Sequence, residues 1–344
     1  VKLSVFFIYV LVITGSLSGN EWAFKTMPGG HQGKINAIIH RGDTVISGGE
    51  DGFLETWDTR SNAAVQRFQI SPYSIVAMAG RPDKDELCVI ESNRFGVFRL
   101  SAWNYKERRN LFTLSFDDPV SHVSYSMGGS FIIAAVTGRT GLILIDPASG
   151  KQIQSHLPIT ANVSMAVTGR AERNLMMYLA SGAISYWDIG TLSESHRFEA
   201  PASLSSPVLF SNNRLLAGIN NQGLLIVNAA SGGILVNDTS IPSNAMLACA
   251  ENDLICFIQN KKENITIVNY SVDSSGKLIK GTPAELSFPG NQDDFNVNAI
   301  CALNNGSTII MGGADGIVSL VKSGGRINPL SVKNHAFIAD AAVL

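Results

Sequence analysis

Apolar residues fall along this chain in short runs, each closed by a turn. Between Gly30 and Asp58 three such runs follow one another: Ile35–Ile39, Thr44–Ser47 and Phe53–Trp57. Each has the length of a strand and is flanked by Gly or Asp, the residues that break regular structure. Asp51-Gly52 is a tight-turn pair, because Gly takes a positive φ without steric cost. The same succession recurs downstream. In a third unit the runs predict strands at about Leu111–Phe116, Val120–Ser126, Phe131–Val136 and Leu142–Asp146. In a fifth they predict His196–Ala200, Ser205–Phe210, Leu215–Ile219 and Leu224–Asn228. The first run of each set, the outermost strand of the preceding unit, carries charge, as at Arg67 and Arg197. The next two are more apolar, as strands near a shared centre would be.

The period is regular. The closing strands end near Asp58, Asn104, Asp146, Asp188, Asn228 and Asn269, at spacings of 46, 42, 42, 40 and 41 residues. A seventh unit ends in STIIMGGADGIVSLV, Ser307–Val321, which parallels TVISGGEDGFLETW in the first. A four-stranded sheet cannot bury both of its faces alone, whereas several stacked in a ring can.

The first unit opens with Gly30-His31 and closes with Trp57-Asp58, and Trp187-Asp188 repeats the closing pair. It resembles a WD40 repeat, one blade of a β-propeller. The resemblance implies an all-β ring of four-stranded antiparallel blades over residues 20–344, seven-bladed, with Trp22–Thr26 completing the last blade. An eighth unit stays open, since Arg326–Val332 and Ala336–Leu344 look like two more strands. It also implies a polar network inside the blade joining His31, Ser47, Asp51 and Trp57. Trp103 and Trp187 lack an upstream Gly-His, so the full network is expected in the first blade alone. GLILIDPASGKQI and GLLIVNAASGGIL resemble a second propeller class, the quinoprotein-type repeat, which shares the architecture.

The first residues read differently. Lys2 precedes an apolar run of 11 residues, Leu3–Ile13, and Ser16-Leu17-Ser18 is a small-x-small cleavage pattern. Residues 1–19 are therefore read as a signal peptide or N-terminal anchor, and the chain is expected outside the cytoplasm, periplasmic or extracellular. Any membrane contact would run through that segment alone. Because it starts at Val1 and stops at Leu344 within an apolar run, a fragment of a longer protein is expected.

Composition narrows the function. Hydrophobic residues make up 45% of the 344 and charged residues 16%, which places the chain among folded proteins. A net charge of −2 with no basic cluster argues against nucleic acid. Cys88, Cys249, Cys256 and Cys301 each sit in an apolar run, as small buried hydrophobes do, with a Cys249–Cys256 hairpin disulfide as the lesser alternative. No His pair has zinc spacing, so no metal is expected. Asp117-Asp118 and Asp293-Asp294 read as exposed turn acids. A His, a Ser and an Asp in one unit invite a hydrolase reading, but the chain contains no Gly-x-Ser-x-Gly elbow.

What remains is recognition. The expected function is a non-enzymatic protein–protein scaffold, a monomer with protein partners and no cofactor. The alternatives are a quinoprotein-like propeller enzyme or a propeller of the outer-membrane-assembly type. In WD40 propellers the loops joining one blade to the next share a face with the loops between a blade's second and third strands. The resemblance puts Tyr73 and Phe295 in loops of the first kind. It puts Arg94, Arg139, Asn220, Asn221, Gln222 and Asp315 in loops of the second. Aromatic and Arg side chains dominate interface energetics, which singles out Tyr73, Arg94, Arg139 and Phe295 as anchors.

Overall fold

The computed structural model describes residues 22–323, apart from 27–29, 62, 139–140, 158, 160, 200–202, 251, 261–263, 288–295, 304–305 and 317. The expected signal segment, the region that resembled an eighth unit, Arg139 and Phe295 therefore lie outside the described residues. Among those described, the strands pair into seven antiparallel sheets with no helix. The chain is a seven-bladed β-propeller.

Blade 1 runs Ile35–Arg41, Thr44–Gly49, Phe53–Asp58 and Ala63–Gln69. Here a to d denote the strands of a blade from the centre outward. Blade 2 starts at Ser74, blade 3 at Val120, blade 4 at Val163, blade 5 at Ser205, blade 6 at Met246 and blade 7 at Val297. Blade 6 departs from the plan. Its outer strand is split into Leu278–Lys280 and Ala284–Ser287, which pair with opposite ends of Asn264–Val272. The ring closes where Trp22–Thr26 pairs antiparallel with Val318–Ser323, Trp22 opposite Ser323 and Thr26 opposite Ser319. N-terminal chain thus supplies the outer strand of the last blade.

One apolar cluster fills each junction between successive blades. Between blades 7 and 1, for example, Ile35, Ile38, Val45 and Trp57 meet Ala299, Leu303, Ile310 and Leu320. Each fully buried Leu, Ile or Val contributes about 1.5–3 kcal/mol. An outer strand such as Ser193–Glu199 is exposed along almost all of its length. The junctions, and not the rim, hold the ring.

Strand positions match the expectation, with one correction. The most deeply buried strands are b and c, as in Leu215–Asn220 and Gly223–Asn228, whereas a-strand Ser205–Phe210 is largely exposed or half-buried. The reason is geometric: b and c are flanked by strands on both sides, and a is the innermost edge of its sheet. Cys249 is exposed on such an a strand, which corrects its reading as a buried hydrophobe. All four cysteines are free, so the alternative Cys249–Cys256 disulfide is absent. The register opposes Cys249 to Leu254 and Cys256 to Leu247.

The a strands share a second device. In blades 1, 2, 3, 4 and 7 the a–b register slips by one residue after the first pair, or after the second in blade 2, at Asn36, Val76, Ser121, Ser164 and Asn298. A β-bulge bends its strand and re-aims a side chain. Asn36 Nδ2 donates to Ile75 O of the next blade at 2.9 Å, and Ser121 Oγ donates to Val163 O at 3.0 Å. The bulges of blades 1 and 3 therefore stitch each of them to the next blade.

Candidate binding face

Two groups of polar side chains matter: one inside blade 1, the other on the face made by the inter-blade and b–c loops.

Inside blade 1 the structure brings His31, Ser47, Asp51 and Trp57 together. His31 Nε2 lies 2.8 Å from Ser47 Oγ and His31 Nδ1 lies 2.9 Å from Asp51 Oδ1. Trp57 Nε1 donates to Ser47 Oγ at 2.9 Å. Proton positions follow from what each group can do. The indole only donates, and an ionised carboxylate only accepts. Ser47 thus accepts from Trp57 and donates to His31 Nε2, and Nδ1 carries the proton given to Asp51. Gln32 N and Phe53 N also donate to Asp51. Burial pushes the Asp51 carboxyl up, but the His31 and Gln32 hydrogen bonds more than offset it and hold the group at about 2. His31 N donates to Gly316 O at 2.9 Å, so the network also ties blade 1 to the b–c turn of blade 7.

The order Ser–His–Asp is that of an acyl-transfer relay, but its placement differs. Ser47 is fully buried and its oxygen already accepts the Trp57 N–H, so an external carbonyl has no approach to it. The group is a strand tie. Blades 2 and 4 use a different tie, one that reasoning from the Gly-His pair missed. Trp103 Nε1 donates to Ser101 Oγ at 2.9 Å, and Trp187 Nε1 to Ser185 Oγ at 2.8 Å. Each serine donates onward to a carboxylate, Ser101 to Glu91 and Ser185 to Glu194. The signal was present as Ser-x-Trp, since residues two apart on a strand share a face.

The second group occupies loops. Tyr73 is half-buried in the connector from blade 1 to blade 2, with the Arg99 guanidinium over its ring at 5.5 Å. Arg94 is exposed in the b–c loop of blade 2 and lies over the Phe95 ring at 5.1 Å. Phe95, absent from the expected anchors, is 79% exposed, the largest value among the large hydrophobics of the described residues. Asn220, Asn221 and Gln222 come together along one side of a cavity of about 620 Å³ in blade 5. Tyr73, Arg94 and Asp315 do not line that cavity, so the face carries separate groups. Asp315 is exposed in the b–c turn of blade 7.

A curated relative, an uncharacterized protein of Treponema pallidum (strain Nichols), is 28% identical over 204 residues. The alignment covers 59% of this chain and 33% of the relative, so the shared part is about a third of that protein's length. A family model described as an N-terminal beta-propeller domain matches residues 21–281, from the closing strand to the outer edge of blade 6. With seven closed blades and that match, the chain belongs to the TP_0598_N family of N-terminal beta-propeller domains.

Proposed function

We propose that this chain is a non-enzymatic, WD40-like propeller that scaffolds a protein–protein interaction outside the cytoplasm, through the face made by its inter-blade and b–c loops. The observation that carries the reading is the side chain of Phe95, held out to solvent under Arg94 in the b–c loop of blade 2, the blade whose connector presents Tyr73 beneath Arg99. Exposed aromatic and Arg side chains bury large areas on binding with few lost rotamers. The WD40 likeness is supported by the His31–Ser47–Trp57 tie in blade 1. Export is supported by the apolar run Leu3–Ile13 and the small residues Ser16 and Ser18 after it.

The test is capture from a cell-envelope extract, with the whole chain as bait beside a Tyr73→Ala/Arg94→Ala/Phe95→Ala variant. Retention of the same partner by the parent and its loss from the variant is the expected result. Equal capture by both would move the interaction off this face. Failure of both to capture a protein would reject the scaffold reading.

A further inference from the structure

The cavity in blade 5 has a lining unlike the rest of the loop face. Three separate chain segments build it. Ser203 and Ser205 come from the connector out of blade 4 and the strand it enters. Asn220, Asn221 and Gln222 form the b–c turn, and Ser243 comes from the connector into blade 6. Leu204 and Ile219, both almost fully buried, make the floor. Among the described residues, no charged side chain lines it.

The walls are fixed from behind. Leu204 N is held by the Tyr178 hydroxyl at 2.7 Å. Ser203 Oγ donates to Ala180 O at 3.2 Å, and Ser205 Oγ to Ile219 O at 3.0 Å. Asn220 Oδ1 accepts from Gln222 N and Gly223 N at 2.7 and 3.0 Å, which closes the turn. Gly223 has φ +134°, and a Cβ there would lie 2.3 Å from Asp238 O, so the turn is pressed onto the next connector. A second observation falls at the same place. The one-residue a–b bulge of blades 1, 2, 3, 4 and 7 recurs here between Ser205 and Val208, with Ser206 at φ +50°. A non-glycine residue in that region is strained, and such strain gathers at binding sites.

These bonds decide what the cavity offers. The Ser203 and Ser205 hydroxyls spend their protons on protein carbonyls, which leaves oxygen lone pairs to accept. Asn220 spends its oxygen on the turn, which leaves its NH₂ to donate. Asn221 and Gln222, both exposed, supply carboxamides with both functions. Fixed acceptors beside fixed donors complement a peptide amide, which presents one of each. A charged ligand would lose water here with no opposite charge to offset it. A sugar would find no aromatic ring for its apolar face among the described lining residues.

We propose that the blade 5 cavity binds an uncharged stretch of protein chain, whose backbone amides pair with the Ser203 and Ser205 hydroxyls and with the Asn220, Asn221 and Gln222 carboxamides. The proposal rests on the scaffold reading and gives it a second point of contact, with a defined chemistry. At about 620 Å³ the cavity is of ordinary size for a ligand site.

The experiment is a titration of the isotope-labelled whole chain, followed by backbone amide resonances. The peptide added is the capped neutral tetrapeptide Gly-Ser-Asn-Gly. In parallel runs it is replaced by capped Gly-Asp-Glu-Gly, by capped Gly-Lys-Arg-Gly, or by glucose and N-acetylglucosamine. The expected result is a saturable shift at Leu204, Asn221, Gln222 and Ser243 with the neutral peptide, at a Kd on the order of 1 mM. An Asn221→Ala/Gln222→Ala variant, altered only at exposed turn positions, should melt like the parent and bind at least about fivefold more weakly. Preference for either charged peptide or for a sugar would overturn the proposal, as would no saturable shift at about 10 mM. The same variant, put through the capture experiment above, separates the two readings. Undiminished capture would overturn a role for the cavity and leave the scaffold standing.

Discussion

Glu55 Oε2 lies 3.9 Å from His31 Nε2, and neither side chain reaches solvent. That oxygen has no hydrogen-bond partner among the described residues. Burial raises the Glu55 carboxyl to about 7, against the opposing pull of His31 and Arg67 and with a smaller push from Asp51. An unfolded Glu titrates near about 4.3. Between those values the folded chain keeps a proton that the unfolded chain has released. Stability is therefore fully present below about pH 4.3 as far as Glu55 is concerned, and is lost as pH rises through 7. Asp51 acts with the opposite sign. Its folded value of about 2 is below the unfolded value of about 3.9, so its contribution is present above pH 4 and is lost on acidification toward 2. The two together place maximum stability in mildly acidic solution.

Glu55→Gln should remove the alkaline arm of that profile. The expected result is a melting midpoint higher than the parent's at pH 8, by roughly 1–3 kcal/mol of stability, and unchanged near pH 4.5. Thermal melts of both chains from pH 4 to 8 check it. Parallel profiles would show that Glu55 does not set the slope.

The serine ties should differ in cost by what each leaves stranded. Ser47→Ala orphans the Trp57 indole and the His31 ring together, in a fully buried place. Ser185→Ala strands Trp187, which is half-buried, and Glu194, which is exposed, and both can turn to water. An unmet buried polar group costs about 1–3 kcal/mol. Urea denaturation should therefore show a loss of roughly 2–4 kcal/mol for Ser47→Ala and about 1 kcal/mol or less for Ser185→Ala. Equal losses would mean that the blade 1 network adds nothing beyond the indole bond.

Much of this was readable from the chain because each repeat carries its own punctuation. Asp51-Gly52 and Asp315-Gly316 sit at the b–c turns where alternating runs end, so blade boundaries follow from local rules. His31, Ser47, Asp51 and Trp57 were found because the first unit keeps a full set of partners. The cavity was not found as a cavity. Ser203, Gln222 and Ser243 lie in three different loops, and only the ring geometry brings them together. The split outer strand of blade 6 was missed because strand periodicity says nothing about which end of a long partner each piece will pair with. Cys249 was misjudged for a related reason: an apolar run shows that one face is buried but not that the other opens inward.

Glycine at the blade 7 turn should prove irreplaceable. Gly316 has φ +79°, and a Cβ there would lie 2.1 Å from the His31 carbonyl oxygen. Gly42 has φ +56° with open space around it. Gly42→Ala should cost only the left-handed conformation, about 1–2 kcal/mol. Gly316→Ala carries that cost and must also push the His31 segment away, breaking the bond from His31 N to Gly316 O. Its expected loss is greater, about 3 kcal/mol or more, with altered Trp57 fluorescence as the local signature. Similar melts for the two variants would show that the connector yields freely.

The last prediction concerns closure. Trp22–Thr26 covers the edge of Val318–Ser323 through five opposed residue pairs, and without it that strand would present unpaired N–H and C=O groups. An open edge recruits another chain. Deleting residues 1–26 should therefore lower the melting midpoint and make the protein associate in a concentration-dependent way, while the parent stays monomeric. A synthetic peptide of residues 20–30, added in excess, should reverse part of the association by pairing with the vacant edge. Light scattering and melts with and without the peptide read both effects. If the deletion variant stayed monomeric with an unchanged melt, the six apolar junctions that do not involve blade 1 and blade 7 together, plus their own packing, would suffice to hold the ring, and the closing strand would be dispensable.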